Sequence, residues 1–328
     1  MHRIKKVTEI FGYALTVLSL AYIVYLLVNI DFSELQINNP TLSLLLILAF
    51  GAFASVSIII GAYSWKLILE FINGAPVATK DVYRVYLNAN IAKYLPGNVM
   101  HYAGRNYLGS KLGWKNTEMA FSSLLEYLFG FGLTGVIIVL FALVGLVNLP
   151  QQFELTVDTE VIAKYLGIGF LIVLTAVTLL FLYRYFLVKE QPGVTAQKMS
   201  GYAGRFFTVK FLILFVKMFF ITLGCFLINC VFYFYLCHLI LDFQIRPEDF
   251  FNANAALSIA NYTSILTPGV PGGIGVKESV SILLLSAYGY PKESLLLSLL
   301  VFRITCVLGD VFPFLMIKLF PGRARINE

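Results

Sequence analysis

Apolar residues in this sequence come in long blocks at 11–30, 42–69, 119–147, 162–187, 211–241 and 294–320. Each reaches the roughly 20 residues a helix needs to cross a hydrocarbon layer, and most charged residues are gathered between them. The pattern predicts an all-α polytopic membrane protein with about six full spans. The block at 211–241 is long for one crossing. It reads as a tilted helix with an interfacial lead-in or, alternatively, as two short helices meeting near Gly224.

Two more polar stretches, 80–115 and 248–291, are too rich in Pro, Gly and Asn to be ordinary spans, and they resemble each other. In the first, Asn90 precedes Leu95-Pro96-Gly97; in the second, Asn261 precedes Thr267-Pro268-Gly269. Each runs on through a basic segment, Gly104-Arg105 or Gly275-Val276-Lys277, to a glycine-aromatic turn, Gly113-Trp114 or Gly289-Tyr290. A glutamate, Glu118 or Glu293, and a long span follow. Gly97 to Gly113 is sixteen positions and Gly269 to Gly289 is twenty, so the copies differ by four residues, about one helical turn.

The chain therefore reads as one membrane domain, 1–328, made of two halves, 1–150 and 151–328, each ordered span, span, broken hairpin, span. Three crossings per half is odd, so the second copy inserts upside down relative to the first. Interrupted segments at matching places in two inverted halves point to a binding site near the midplane. Both hairpins are expected to be re-entrant.

Composition agrees: 59% of the 328 residues are hydrophobic and 13% charged, against roughly 25% charged in a soluble domain. The first block follows Arg3, Lys5 and Lys6 but is longer than a signal-peptide core and lacks a small-residue cleavage site, so it reads as a retained span. Lys and Arg cluster at the N-terminus, in 80–115, in 189–210 and in the tail, whereas loops 31–40 and 148–160 have none. By the positive-inside rule this predicts a cytoplasmic-membrane protein with both termini in the cytoplasm. The net charge of +6 lies beside spans rather than in a soluble stripe, so anionic lipid is the expected partner and nucleic acid is not.

The candidate chemistry is mostly positive. A chain broken by Pro96-Gly97, or by Pro268 to Gly273, must lie at the surface or line an enclosed cavity, because unpaired backbone groups cannot face lipid. Helix N-termini after the breaks offer N–H groups to an anion. Arg105 and Lys277, with Gly97, Asn98, Gly272, Gly273 and Glu278, are the candidate substrate-binding residues. Ordinary loops with turn residues are the alternative, which the duplication disfavours. Glu126, Arg303 and Asp310 are candidate intramembrane charges. Glu126 follows Gly113 by thirteen positions and Arg303 follows Gly289 by fourteen, which predicts an ion pair between them, either locking the halves or gating substrate. Asp310 is a partner for Arg303 or a cavity residue, and Lys217 is expected to snorkel.

The remaining signals are weak. Gly269 to Ser279 has the wrong spacing for a phosphate loop. His101 satisfies local hydrogen bonds or touches a headgroup. The histidines do not cluster, and Cys225, Cys230, Cys237 and Cys306 lie in apolar blocks, so no metal, disulfide or other cofactor is expected. No catalytic residues stand out at motif spacing.

Lys93-Tyr94-Leu95-Pro96-Gly97-Asn98-Val99 with Gly104-Arg105, and Pro271-Gly272-Gly273-Ile274-Gly275-Val276-Lys277-Glu278, resemble the paired signatures of the flippase-like family that includes the membrane region of lysyl-phosphatidylglycerol synthases. The resemblance covers nearly the whole chain. It implies translocation of phospholipids or polyprenyl-linked lipids, and an acidic residue and an arginine in the spans after the signatures, matched by Glu126 and Arg303. With only eight residues after the last block, no soluble synthase domain is expected, nor lysine transfer by this chain alone.

Three functions follow as expectations. The first is translocation or binding of a lipid with an anionic headgroup. The second is glycosyl or phosphotransfer to a polyprenyl lipid, for which Asp242 or Asp249 would be the acid. The third is a non-catalytic partner of a lipid-modifying enzyme; a homo-oligomer is also compatible with the sequence.

Overall fold

The computed structural model describes residues 40–94, 100–148, 206, 208–241, 243–267 and 273–319, and the regular elements among them are helices. They are α1 (Pro40–Asn73), α2 (Thr79–Asn90) with a 3-10 turn Ile91–Tyr94, α3 (Met100–Ser110), α4 (Asn116–Leu143), α5 (Val209–Ile240), α6 (Phe250–Leu266) after a 3-10 turn Pro247–Asp249, α7 (Val276–Ser286) and α8 (Lys292–Leu319). The spans expected at 11–30 and 162–187, and both Pro-Gly breaks, lie outside the described residues, together with Gly97, Asn98, Gly272 and Asp242.

Helices α1, α4, α5 and α8 are long and apolar enough to cross a membrane, and they coincide with four of the expected spans. Only 17% of the apolar window of α1 is buried inside the protein, so its leucine-rich face points outward, as lipid contact requires. Helix α5 runs unbroken through Gly224. Its 32 residues span about 48 Å, so this block is one long helix rather than two short ones.

The polar stretches fold as helical hairpins. Helix α2 is amphipathic and buries Val82, Val85, Tyr86 and Ala89 at the i, i+3, i+4, i+7 spacing of one helix face. It packs on α3, as α6 packs on α7. Helices α3 and α7 have 11 residues each, about 17 Å, well short of the ~30 Å hydrocarbon core.

The two hairpins are held at different ends of the helix bundle. After α1 turns at Gly74, the Val77 amide donates to Glu70 at 3.1 Å, and Trp114, leading into α4, lies tilted against Trp65 of α1. Phe206, just before α5, lies against Phe71 of α1 and Phe121 of α4. The end of α1 and the starts of α2, α4 and α5 thus share one end. At the other, the amide of Asn148, after α4, donates to Asn252 of α6 at 2.8 Å. Tyr288, before α8, donates to the Asn148 carbonyl at 2.6 Å.

The broadest helix contact is α1 on α8, where Gly51 lies under Leu308 and Gly309 meets Ala54; a Cβ at either glycine would overlap its neighbour. Substituting α1 for α5, α2 for α6, α3 for α7 and α4 for α8 maps the principal set of helix packings onto itself. Thus α3 on α4 matches α7 on α8, and α2 on α8 matches α6 on α4.

Candidate functional site

Each hairpin places one buried charge against the span that follows it. In the first half, Arg105 on α3 is 2% exposed and its Nη1 binds Glu126 Oε2 on α4. The guanidinium also lies 3.9 Å from the ring centre of Tyr86, with Trp65 and Tyr102 flanking it at 5.2 and 5.3 Å. Tyr86 donates its hydroxyl to the other Glu126 oxygen at 3.1 Å. That hydroxyl sits where a side chain on Gly61 would be, 2.6 Å from an added Cβ.

In the second half the signs are exchanged. Glu278 on α7 accepts from Arg303 Nη1 on α8 through Oε1 and from the Gly275 amide through Oε2 at 2.8 Å. The second contact caps the first turn of α7, and the carboxylate also complements the helix dipole there. The expected pair between Glu126 and Arg303 is therefore replaced by two pairs, one within each half. The reason is local: α3 lies on α4 and α7 on α8, so each span residue meets its own hairpin.

A third carboxylate joins the halves. Asp310 on α8, with its side chain 1% exposed, accepts from Lys93 Nζ at 2.6 Å, Asn90 Nδ2 at 2.6 Å and the Tyr94 hydroxyl at 2.5 Å. All three donors come from the last five residues of the first hairpin's leading limb. For Asp310, expected to partner Arg303 or to face a cavity, the partners Lys93, Asn90 and Tyr94 come from the opposite half. In the matching place of the other half, Tyr262 of α6 hydrogen-bonds Thr134 of α4 at 3.1 Å.

Two cavities of mixed polar and apolar lining open between these elements. One, of about 260 Å³, is walled by Lys93, Tyr94 and His101 from the first hairpin and by Ser264, Lys277 and Arg303 from the second half. The other, of about 330 Å³, is walled by Ser57, Glu126, Asn229 and Asn254 among others. Asn261, Lys277, Phe302 and Cys306 line both. Arg105 lines neither.

Residues 10–311 match the family described as the lysylphosphatidylglycerol synthase TM region. The chain belongs to this family. Membership makes it a membrane protein linked to lipid handling. No curated protein matches the chain.

In this family member the second signature shapes the cavity wall. Gly273 holds φ +68°, and a Cβ there would stand 2.5 Å from Ser264 Oγ, so only glycine lets the chain turn so close to α6. Lys277 follows on the first turn of α7, its Nζ 5.5 Å from the Phe302 ring centre. Among the described residues Lys277 has no carboxylate partner.

Sequence reasoning did not single out Lys93, Tyr94 or Asn90 as site residues, although Lys93 and Tyr94 open the first signature. Their role depends on a carboxylate more than 200 positions away, which no local spacing encodes. Asp249, the candidate acid of the transferase reading, is fully engaged. Its Oδ1 accepts from Asn252 at 2.9 Å, and its Oδ2 from Tyr290 at 2.7 Å and Arg246 Nε at 2.8 Å. Burial pushes its carboxyl up, but these hydrogen bonds and the Arg246 charge outweigh burial and hold it below the ordinary value.

Proposed function

We propose that the chain binds the anionic headgroup of a membrane lipid in the paired cavities between the two hairpins and moves that lipid across the membrane, with Lys277 as the headgroup anchor. The carrying observation is a charge imbalance. Among the described residues, the charged residues lining the cavities, with their ion-pair partners, are four cations (Lys93, Arg105, Lys277, Arg303) and three carboxylates (Glu126, Glu278, Asp310). Each carboxylate engages one cation, and Lys277 is left over. An unmatched charge at bilayer depth is costly, and a ligand carrying one negative charge balances it. Arg105, expected beside Lys277 as a phosphate ligand, serves here instead as a strut on Glu126.

The proposal includes an inverted repeat with two re-entrant hairpins, entering from the cytoplasmic and the outer face. It is supported by the exchange symmetry of the helix packings and by the anchoring of the hairpins at different ends of the bundle. A site between such hairpins meets both leaflets in turn, as transport requires.

The test is movement of headgroup-labelled phosphatidylglycerol and phosphatidylcholine in vesicles holding the purified chain. The wild type should favour the anionic lipid, Lys277→Arg should keep that preference, and Lys277→Gln should lose it. Equal movement of both lipids by wild type and Lys277→Gln would remove Lys277 as the anchor.

A further inference from the structure

We propose that Asp310 is a proton-binding site whose protonation releases Lys93 into the cavity, so that one proton is bound together with the anion. The inference deepens the anion-binding function proposed above and rests on it.

Three features separate Asp310 from the other two carboxylates of the cluster. Glu126 and Glu278 each hold a guanidinium, which stays charged and matches a carboxylate with a planar fork. Asp310 holds an ammonium on a flexible stem, and the Lys93 side chain is 29% exposed on the cavity wall. Glu126 and Glu278 act within one half, whereas Asp310 alone ties the first hairpin to the last span of the other half. Finally, Asp310 does not line the cavity, but two of its donors, Lys93 and Tyr94, do. Each thus touches both the cavity and the carboxylate.

The charges around Asp310 come from several elements. The turn after α2 supplies Lys93 and Tyr94. Helix α8 itself supplies Arg303 and the uncharged Cys306 thiol, both on the cavity wall. Helix α7 supplies Lys277, and α3 supplies His101 across the cavity. From α1 the neighbours at Gly309 are Ala54 and Ser55, which carry no charge.

In the proton step, a proton from cavity water adds to Oδ2 of Asp310 and the carboxylate becomes a neutral carboxyl. Lys93 keeps its proton and its positive charge but loses the anion that held it. The cluster gains one positive charge beside Lys277, and the incoming anion finds two ammonium groups on one cavity wall. When the anion leaves, Lys93 returns to Asp310 and the carboxyl gives its proton back to water. Proton and anion thus bind in the same direction, and the clip between the halves opens only while both are bound.

The experiment uses the full chain in nanodiscs, with short-chain phosphatidylglycerol and short-chain phosphatidylcholine as probes. Binding is measured as a function of pH, and the protonated-carboxyl band is followed by infrared titration over the same range. Wild type should bind phosphatidylglycerol about tenfold tighter for each pH unit lowered while Asp310 titrates, the slope of one linked proton. Asp310→Asn should bind at the acid-limit affinity at every pH and lack the titrating band. Lys93→Gln, which leaves Asp310 in place, should keep the band and lose the slope, and it serves if Asp310→Asn does not fold. A flat pH profile with phosphatidylglycerol still preferred, or a band unchanged in Asp310→Asn, would overturn the proton site and leave the anion site standing. No preference for phosphatidylglycerol at any pH would overturn the anion site itself.

Discussion

Arg303 on α8 pairs with Glu278 on α7, 25 positions earlier in the chain. The counterpart pair, Arg105 on α3 with Glu126 on α4, spans 21 positions with the signs exchanged. Of that difference of four, three positions lie between the hairpin charge and its glycine turn, eight from Arg105 to Gly113 against eleven from Glu278 to Gly289, and one lies in the span, thirteen against fourteen. Both pairs are the same hairpin-to-span strut. One hairpin supplies the cation and the other the anion, so the copies are alike in architecture and opposite in charge.

The struts should be independent of each other. Removing one partner of a buried pair costs about 3–5 kcal/mol, because the other charge is stranded. Glu126→Gln and Arg303→Gln should each lower unfolding stability by that order in detergent, and the double substitution should be additive within about 0.5 kcal/mol. Glu126→Gln with Arg105→Gln should instead cost clearly less than the sum. Coupling between Glu126 and Arg303 comparable to that within a strut would contradict the pairing described.

The hairpins should be reached from opposite faces. In a background without Cys225, Cys230, Cys237 and Cys306, a cysteine at exposed Lys111 should react with a membrane-impermeant reagent from the cytoplasm. One at Glu248, 71% exposed in its side chain, should react from outside. Reaction of both from one face would end the inverted arrangement.

Four spans and both hairpins were legible in the sequence, because long apolar blocks and Pro-Gly breaks are local signals. The repeat read from the same signals set Glu126 and Arg303 at matching positions. It did not give their partners, because equivalent positions in a two-fold arrangement are related by symmetry without having to touch. Glu278 was singled out for its place in a signature, but its cap on Gly275 and strut to Arg303 depend on how α7 lies on α8. Asp310 was recognisable as a costly intramembrane charge, whereas its donors on the other half follow only from the packing of α2 against α8.

The hydrogen-bonded cluster around Asp249 should carry an acid-sensitive part of the stability. Asp249 has a folded value held below the ordinary carboxylate range by Asn252, Tyr290 and Arg246 despite its burial. A depressed carboxylate stabilises the fold above its unfolded value, about 3.9, and that contribution is lost as pH falls through the folded value. The wild type should lose thermal stability below about pH 4. Asp249→Asn should begin less stable at neutral pH and show a shallower acid decline. An identical acid limb in both proteins would exclude Asp249 as its source.

Gly273 should be the least replaceable residue of the second signature within the described chain. Two costs act at once. A side chain at φ +68° meets the left-handed penalty of about 1–2 kcal/mol, and its Cβ would stand 2.5 Å from Ser264 Oγ and 2.7 Å from Ser264 Cβ. Truncating Ser264 to alanine leaves the Cβ in place, so only Ser264→Gly removes the clash, and it leaves the backbone strain. Gly273→Ala should therefore push the start of α7 away from α6, carrying Lys277 with it, and Ser264→Gly should restore part of the loss. The measurement is anionic-lipid preference in vesicles, paired with the thiol reactivity of Cys306, which lies on the wall of both cavities, in a background lacking Cys225, Cys230 and Cys237. Gly273→Ala should lower the preference and change Cys306 reactivity, and the double variant should recover both in part. If Gly273→Ala leaves both at wild-type values, the approach of the second signature to α6 does not set the position of Lys277.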